Sequence, residues 1–141
     1  MEKRHLADFP LQTFDTIRYS DTDRQGHVNN ANFATFLESG RVAFIYHPEY
    51  PIVTENTSFV IASLKIDFLQ EIKWPGRVDI GTGILKIGRS SIQVYQQLFQ
   101  NDTCVATAHT TIVQVSDLDG KSVPLRAQAK ATLSNWTLAP E

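Results

Sequence analysis

The chain has 141 residues, 42% of them hydrophobic and 20% charged, a mixture that argues against disorder and allows a real core without staples. Its net charge of −2 gives no reason to expect nucleic acid or an anionic membrane as partner. The single cysteine, Cys104, excludes an internal disulfide.

The opening "MEKRHLADFPLQTF" lacks the apolar core of a signal peptide. No apolar run is long enough to span a bilayer, so the expected compartment is the cytoplasm. Residues 14–19 alternate in character and predict a first short strand. A polar run, "RYSDTDRQGHVNNANF", follows. Beyond it Phe33, Phe36, Leu37, Gly40 and Phe44 recur at intervals of three and four, which predicts a long helix. Asn29 or Asn30 is its expected N-cap, since an asparagine side chain accepts from backbone N–H groups that the first turn leaves unpaired. The prolines of "HPEYP" end the helix.

From there the period changes to that of strands. "SFVIASLKIDFLQEI" (58–72) reads as a long strand, and "WPG" (74–76) as a turn. "RVDIGTGILKIG" and "SSIQVYQQLFQ" are two more strands, joined at Gly88 and Arg89, and "CVATAHTTIVQVSD" is the last. Residues 124–136 suit a short C-terminal helix. The gaps between the last four strands are too short for parallel crossovers, so they predict an antiparallel meander. No repeat or linker divides the chain, and the expectation is one domain over 1–141. A five-stranded sheet with one covering helix leaves exposed edges, and pairing two such edges would hide them. A homodimer, with a cleft shared between its subunits, is therefore expected.

The polar run enters the N-terminus of the long helix, where unpaired N–H groups and about half a positive charge favour a developing oxyanion. Asp23 lies about one turn upstream. Its carboxylate fits two readings: a turn and capping group, or a nucleophile or base. The residues alone leave both open. His5, His27, His47 and His109 lack metal-ligand spacing, and no metal is expected. No Gly-x-Ser-x-Gly elbow, P-loop or dinucleotide fingerprint is present.

"DTDRQGHVNNANFATFLESGR", with "IDFLQEIKWPGRVDIGTGILKIGRSSIQVYQQLF" downstream, resembles the hot-dog-fold acyl-CoA thioesterases of the 4-hydroxybenzoyl-CoA thioesterase-like family over roughly residues 13–117. The resemblance implies an α+β hot-dog fold: a five-stranded antiparallel sheet wrapped around one long central helix, with a short C-terminal helix in addition. It implies hydrolysis of an acyl-CoA thioester to a carboxylic acid and free coenzyme A, with no cofactor beyond that thioester substrate. Asp23 matches the catalytic carboxylate, as nucleophile or general base. Gly26, Val28 and Asn29 match the loop entering the helix, and the N–H of Asn30 would polarise the thioester carbonyl. His27 matches a histidine that positions substrate or water.

The family's helix usually begins with tyrosine where this chain has Phe33, which implies a tuned pocket. Glu38 is the rival catalytic carboxylate, near the position used by a related hot-dog branch. Its structural alternative is an ion pair with Arg41. Phe59 and Val60 are candidates to line an acyl pocket. Arg89, Ser90 and Ser91 follow Gly88 at a strand junction and could meet the arm or phosphates of coenzyme A. The implied assembly is a homodimer, or a dimer of dimers, with the active site at the dimer interface. Two other functions stand beside hydrolysis: hydration or dehydration of an acyl thioester, and acyl-CoA binding without turnover.

Overall fold

The structure, a computed structural model, describes residues 4–139. Strand β1 is Leu11–Thr16, helix α1 is Asn30–Ile45, and strands β2 to β5 are Thr57–Phe68, Arg77–Ile87, Ser91–Gln100 and Thr103–Ser116; helix α2 is Ala127–Ser134. The strands form one sheet in the order β1-β3-β4-β5-β2, antiparallel throughout. Among the described residues β2 pairs only with β5, so its other edge is an end of the sheet.

The helix periodicity translates directly into packing. Phe33, Phe36, Leu37, Gly40 and Phe44 are all buried and face β1, β3 and β4. The helix comes so close to the sheet that a Cβ on Gly40 would lie 2.6 Å from Gln96 Nε2 and 2.7 Å from Ile80 Cγ2. Register shifts at Ile61/Ser63, Ile84/Lys86 and Leu98/Phe99 are the places where extra residues bend strands and raise their twist. This is the sheet-over-helix arrangement expected of a hot-dog fold. Leu133 and Trp136 extend the core past the end of α1, where Trp136 meets Phe44 ring to ring at 6.0 Å.

Element boundaries differ from the sequence expectation by more than one residue in three elements. β1 runs 11–16 rather than 14–19 because the chain turns at Tyr19–Asp21 into a short 3-10 helix, fixed by the Asp21 carboxylate accepting from the Arg18 N–H at 2.8 Å. β2 stops at Phe68 rather than residue 72. There the N–H groups of Leu69 and Gln70 both donate to the carbonyl of Val105, at 2.9 and 3.1 Å, which ends the regular ladder. α2 covers 127–134 of the expected 124–136.

Candidate active site

Between β1 and α1 the polar run folds into a compact loop. Asp23 N–H donates to the His27 carbonyl at 2.8 Å and Gly26 N–H to the Asp23 carbonyl at 3.2 Å. The turn places Gly26 at φ +77°, a conformation that residues with a Cβ rarely adopt. Asn29 caps the helix, its Oδ1 accepting from Ala31 N–H at 3.0 Å.

The two loop carboxylates sit in contrasting surroundings. Asp21 is 2% exposed and accepts from Arg18 N–H, Arg18 Nη2 at 3.1 Å and Asn32 Nδ2 at 2.9 Å. Burial works to raise its pKa, but the hydrogen bonds and charge of Arg18, with the bond from Asn32, outweigh it and hold the carboxyl below its ordinary value. Asp21 is a structural pin between the loop and the first turn of α1. Asp23 is exposed. Its Oδ1 accepts from the N–H groups of Gln25 at 2.8 Å and His27 at 3.3 Å, while Oδ2 accepts no hydrogen bond among the described residues.

Asp23, His27, Val28, Asn30 and Phe33 line one pocket of about 330 Å³, together with Gln25 and the segment Phe68, Leu69, Gln70 and Glu71. Asn30 is the first helical residue, and among the described residues its N–H finds no acceptor. The ring of Phe33 meets Phe68 edge-on at 5.0 Å, so Phe33 packs as an apolar wall. The pocket thus combines a carboxylate with one free oxygen, an unpaired N–H at a helix N-terminus, and an apolar side. That combination suits attack on a carbonyl carbon.

The other sequence-predicted residues lie elsewhere. Gly26 and Asn29 shape the loop without lining the pocket. Glu38 and Phe59 line a separate cavity of about 160 Å³ with Arg41, Val42, Ile45 and Tyr46. Among the described residues Glu38 and Arg41 form no ion pair; Arg41 turns inward, is 4% exposed, and donates to Gln96 Oε1 at 3.4 Å. Burial lowers the Arg41 pKa, with the charge of Glu38 opposing it. Val60, 46% exposed, sits on the opposite face of β2 from Phe59, as strand alternation requires. Arg89 and Ser90 lie in the β3–β4 turn and Ser91 opens β4, at the end of β3 far from Asp23: β3 starts beside the polar loop and rises roughly 33 Å to that turn.

The sequence reading missed Gln25, Phe68, Leu69, Gln70 and Glu71 of the Asp23 pocket; of these Glu71 reaches a predicted site residue, its Oε2 lying 3.2 Å from His27 Nε2. Nothing in its spacing points to this pairing, which arises only when the β2–β3 connection lies against the loop. Among the described residues no group of three or more His, Cys, Asp or Glu side chains could hold a metal ion, and no helix is long and apolar enough to cross a membrane.

The family model described as Thioesterase-like superfamily matches residues 17–133. The chain belongs to the thioesterase-like superfamily. This superfamily member is 28% identical over 139 residues to the uncharacterized protein YsmA of Bacillus subtilis, a match covering 89% of this chain and 92% of that protein. It is also 28% identical over 83 residues to the acyl-CoA thioesterase YbgC of Helicobacter pylori, covering 59% of this chain and 62% of that enzyme. The chain therefore matches less than two thirds of that enzyme's length. Among solved structures, a predicted thioesterase from Bacillus stearothermophilus superposes with a TM-score of 0.82 at 26% identity, covering 93% of this chain and 98% of that one. A thioesterase from Thermus thermophilus complexed with coenzyme A and Zn gives 0.81 at 24% identity, covering 95% and 98%; at that identity the likeness establishes the fold.

Proposed function

We propose that this protein hydrolyses acyl-CoA thioesters, with Asp23 as the catalytic carboxylate and the Asn30 N–H as an oxyanion donor. Membership of the superfamily makes it a thioester hydrolase; the substrate class and the residue roles are the further step. One observation carries it: Asp23 and the unpaired Asn30 N–H open on the same pocket, at the positive end of a 16-residue helix. Oδ1 is tied to the loop backbone, which orients the carboxylate and leaves Oδ2 available. Negative charge on the carbonyl oxygen would grow beside the helix N-terminus, where a preorganised donor lowers the barrier most. Two routes reach acid and thiol from here, direct attack by Asp23 or attack by a water that Asp23 deprotonates.

Coenzyme A would be shared between two subunits in this reading. The free edge of β2 lies beside the pocket, and antiparallel pairing of two such edges about their midpoints gives a closed two-fold dimer. It would bring the Phe59 end of the partner's strand next to Phe68, and turn Arg89 of the partner subunit toward the end of the sheet that holds Asp23. The residues remote from Asp23 within one subunit then become candidates for the carrier across the interface.

The deciding measurement is release of free thiol from a panel of acyl-CoA thioesters by wild type and Asp23→Asn. Turnover by wild type and a loss of at least ~100-fold in the variant are expected, as for removal of a principal catalytic group. Full activity in Asp23→Asn would transfer the role to Glu38. Tight binding without thiol release would indicate a binding module, and water addition to an enoyl-CoA without thiol release would indicate a hydratase.

A further inference from the structure

The β2–β3 connection is held against the catalytic loop by backbone bonds on either side of Glu71. Before it, Leu69 and Gln70 are tied to Val105. After it, Val28 N–H donates to the Ile72 carbonyl at 2.8 Å and His27 bridges to Lys73 in antiparallel fashion. Lys73 is clamped in turn, its N–H and carbonyl bound to the side-chain amide of Gln100 at 2.9 and 2.7 Å. Two short segments distant in sequence are thus zipped together, and the zipper sets the 3.2 Å approach of Glu71 Oε2 to His27 Nε2. Both residues line the pocket that holds Asp23.

A carboxylate 3.2 Å from Nε2 favours the proton on that nitrogen in the neutral ring, which leaves Nδ1 as the basic nitrogen. Nδ1 has no hydrogen-bond partner among the described residues. The pocket therefore holds a second proton acceptor besides Asp23, and the two need not do the same work. We propose that Glu71 is a positioning residue that holds the His27 ring so that Nδ1 takes the proton of the hydrolytic water, leaving Asp23 to act as the nucleophile. The inference rests on the acyl-CoA hydrolase reading and selects between its two routes.

The steps balance as follows. Asp23 Oδ2 bonds to the acyl carbon, and the C–S bond breaks with its electron pair leaving on sulfur as the coenzyme A thiolate. Water then bonds through oxygen to the acyl carbon of the resulting anhydride while one of its protons passes to His27 Nδ1. The bond from that carbon to Asp23 breaks and restores the carboxylate. The proton on His27 moves to the thiolate, giving free acid and thiol.

The competing explanation is a surface pair: the Glu71 side chain is 60% exposed, and exposed pairs contribute little to stability. Kinetics separate the two. Glu71→Gln, His27→Gln and the double variant would be compared with wild type in steady-state thiol release and in rapid-quench trapping of acylated enzyme. Expected are a fall in kcat of at least ~10-fold for Glu71→Gln and ~100-fold for His27→Gln, the latter within the range of general acid–base groups, with KM falling alongside because slower deacylation lowers both and leaves kcat/KM nearly unchanged. The double variant should be no slower than His27→Gln alone, because the two act as one unit. Acylated enzyme should accumulate in Glu71→Gln, an outcome that a purely structural role does not produce. Wild-type kcat in Glu71→Gln, or losses that simply multiply, would overturn the proposal.

An NMR measurement of the His27 ring nitrogens does not depend on turnover. The proton should reside on Nε2 in wild type and lose that preference in Glu71→Gln. A wild type that releases no thiol would sink the hydrolase reading, and the tautomer would then report separately whether Glu71 holds the ring. A ring protonated at Nδ1 in the wild type would end the positioning role.

Discussion

Asp21 and Asp23 have the same side chain two positions apart, and their surroundings give them opposite work. Asp21 is buried and saturated with donors; removing its charge should weaken bonds that join the loop to α1. Asp21→Asn is expected to cost ~1.5–3 kcal/mol at neutral pH, the usual scale for hydrogen bonds to a charged group. Its folded pKa lies below the ordinary 3.8, so the carboxylate's stabilisation is complete above that value and is lost as pH falls toward the folded pKa. Denaturant midpoints of wild type and Asp21→Asn should therefore differ at pH 7 and converge below about pH 4. A constant difference down to pH 2 would contradict the assignment. The sequence showed two carboxylates and a histidine in one loop; only the fold showed that Glu71, far along the chain, faces the histidine.

Helix α1 illustrates how far periodicity reaches. The spacing of its aromatic residues determined the buried face, because a 3.6-residue turn places those positions on one side whatever the partner. What spacing could not reveal is the distance to the sheet. Gly40 sits where a Cβ would press on Gln96, Ile80 and Thr82, and Gln96 cannot easily yield because its Nε2 is bound to the Leu37 carbonyl at 2.9 Å and Thr82 Oγ1 at 3.1 Å. Alanine is the better helix former by ~1 kcal/mol, yet overpacking a tight contact costs ~1–3 kcal/mol. Gly40→Ala should therefore lower the midpoint of chemical denaturation, and a stabilised variant would show that the sheet recedes freely. The strand ends were illegible for a related reason. Apolar residues recur past Phe68, at Leu69 and Ile72, while the ladder ends because two N–H groups converge on the one carbonyl of Val105, a partner remote in sequence.

The whole molecule carries an unfinished edge. β2 is twelve residues long, lies at the end of the sheet, and exposes Val60, Ile61, Leu64 and Phe68 by 46, 49, 36 and 50%. A long, apolar, unpaired edge invites another strand, and a second copy of β2 is the partner that a closed two-fold assembly supplies. Phe68 belongs both to this edge and to the pocket of Asp23, so assembly and activity should be coupled. Light scattering after gel filtration should give a mass of twice the 15.9 kDa chain or a higher even multiple. Leu64→Asp places a charge in the middle of the paired edges, where burying it unpaired costs several kcal/mol per ion, and it should yield monomers that keep a native far-ultraviolet spectrum. Their thiol release should fall with the dimer fraction and recover at high protein concentration. A monomeric wild type with full turnover would show instead that each chain carries a complete site, and that the exposed edge of β2 serves another purpose.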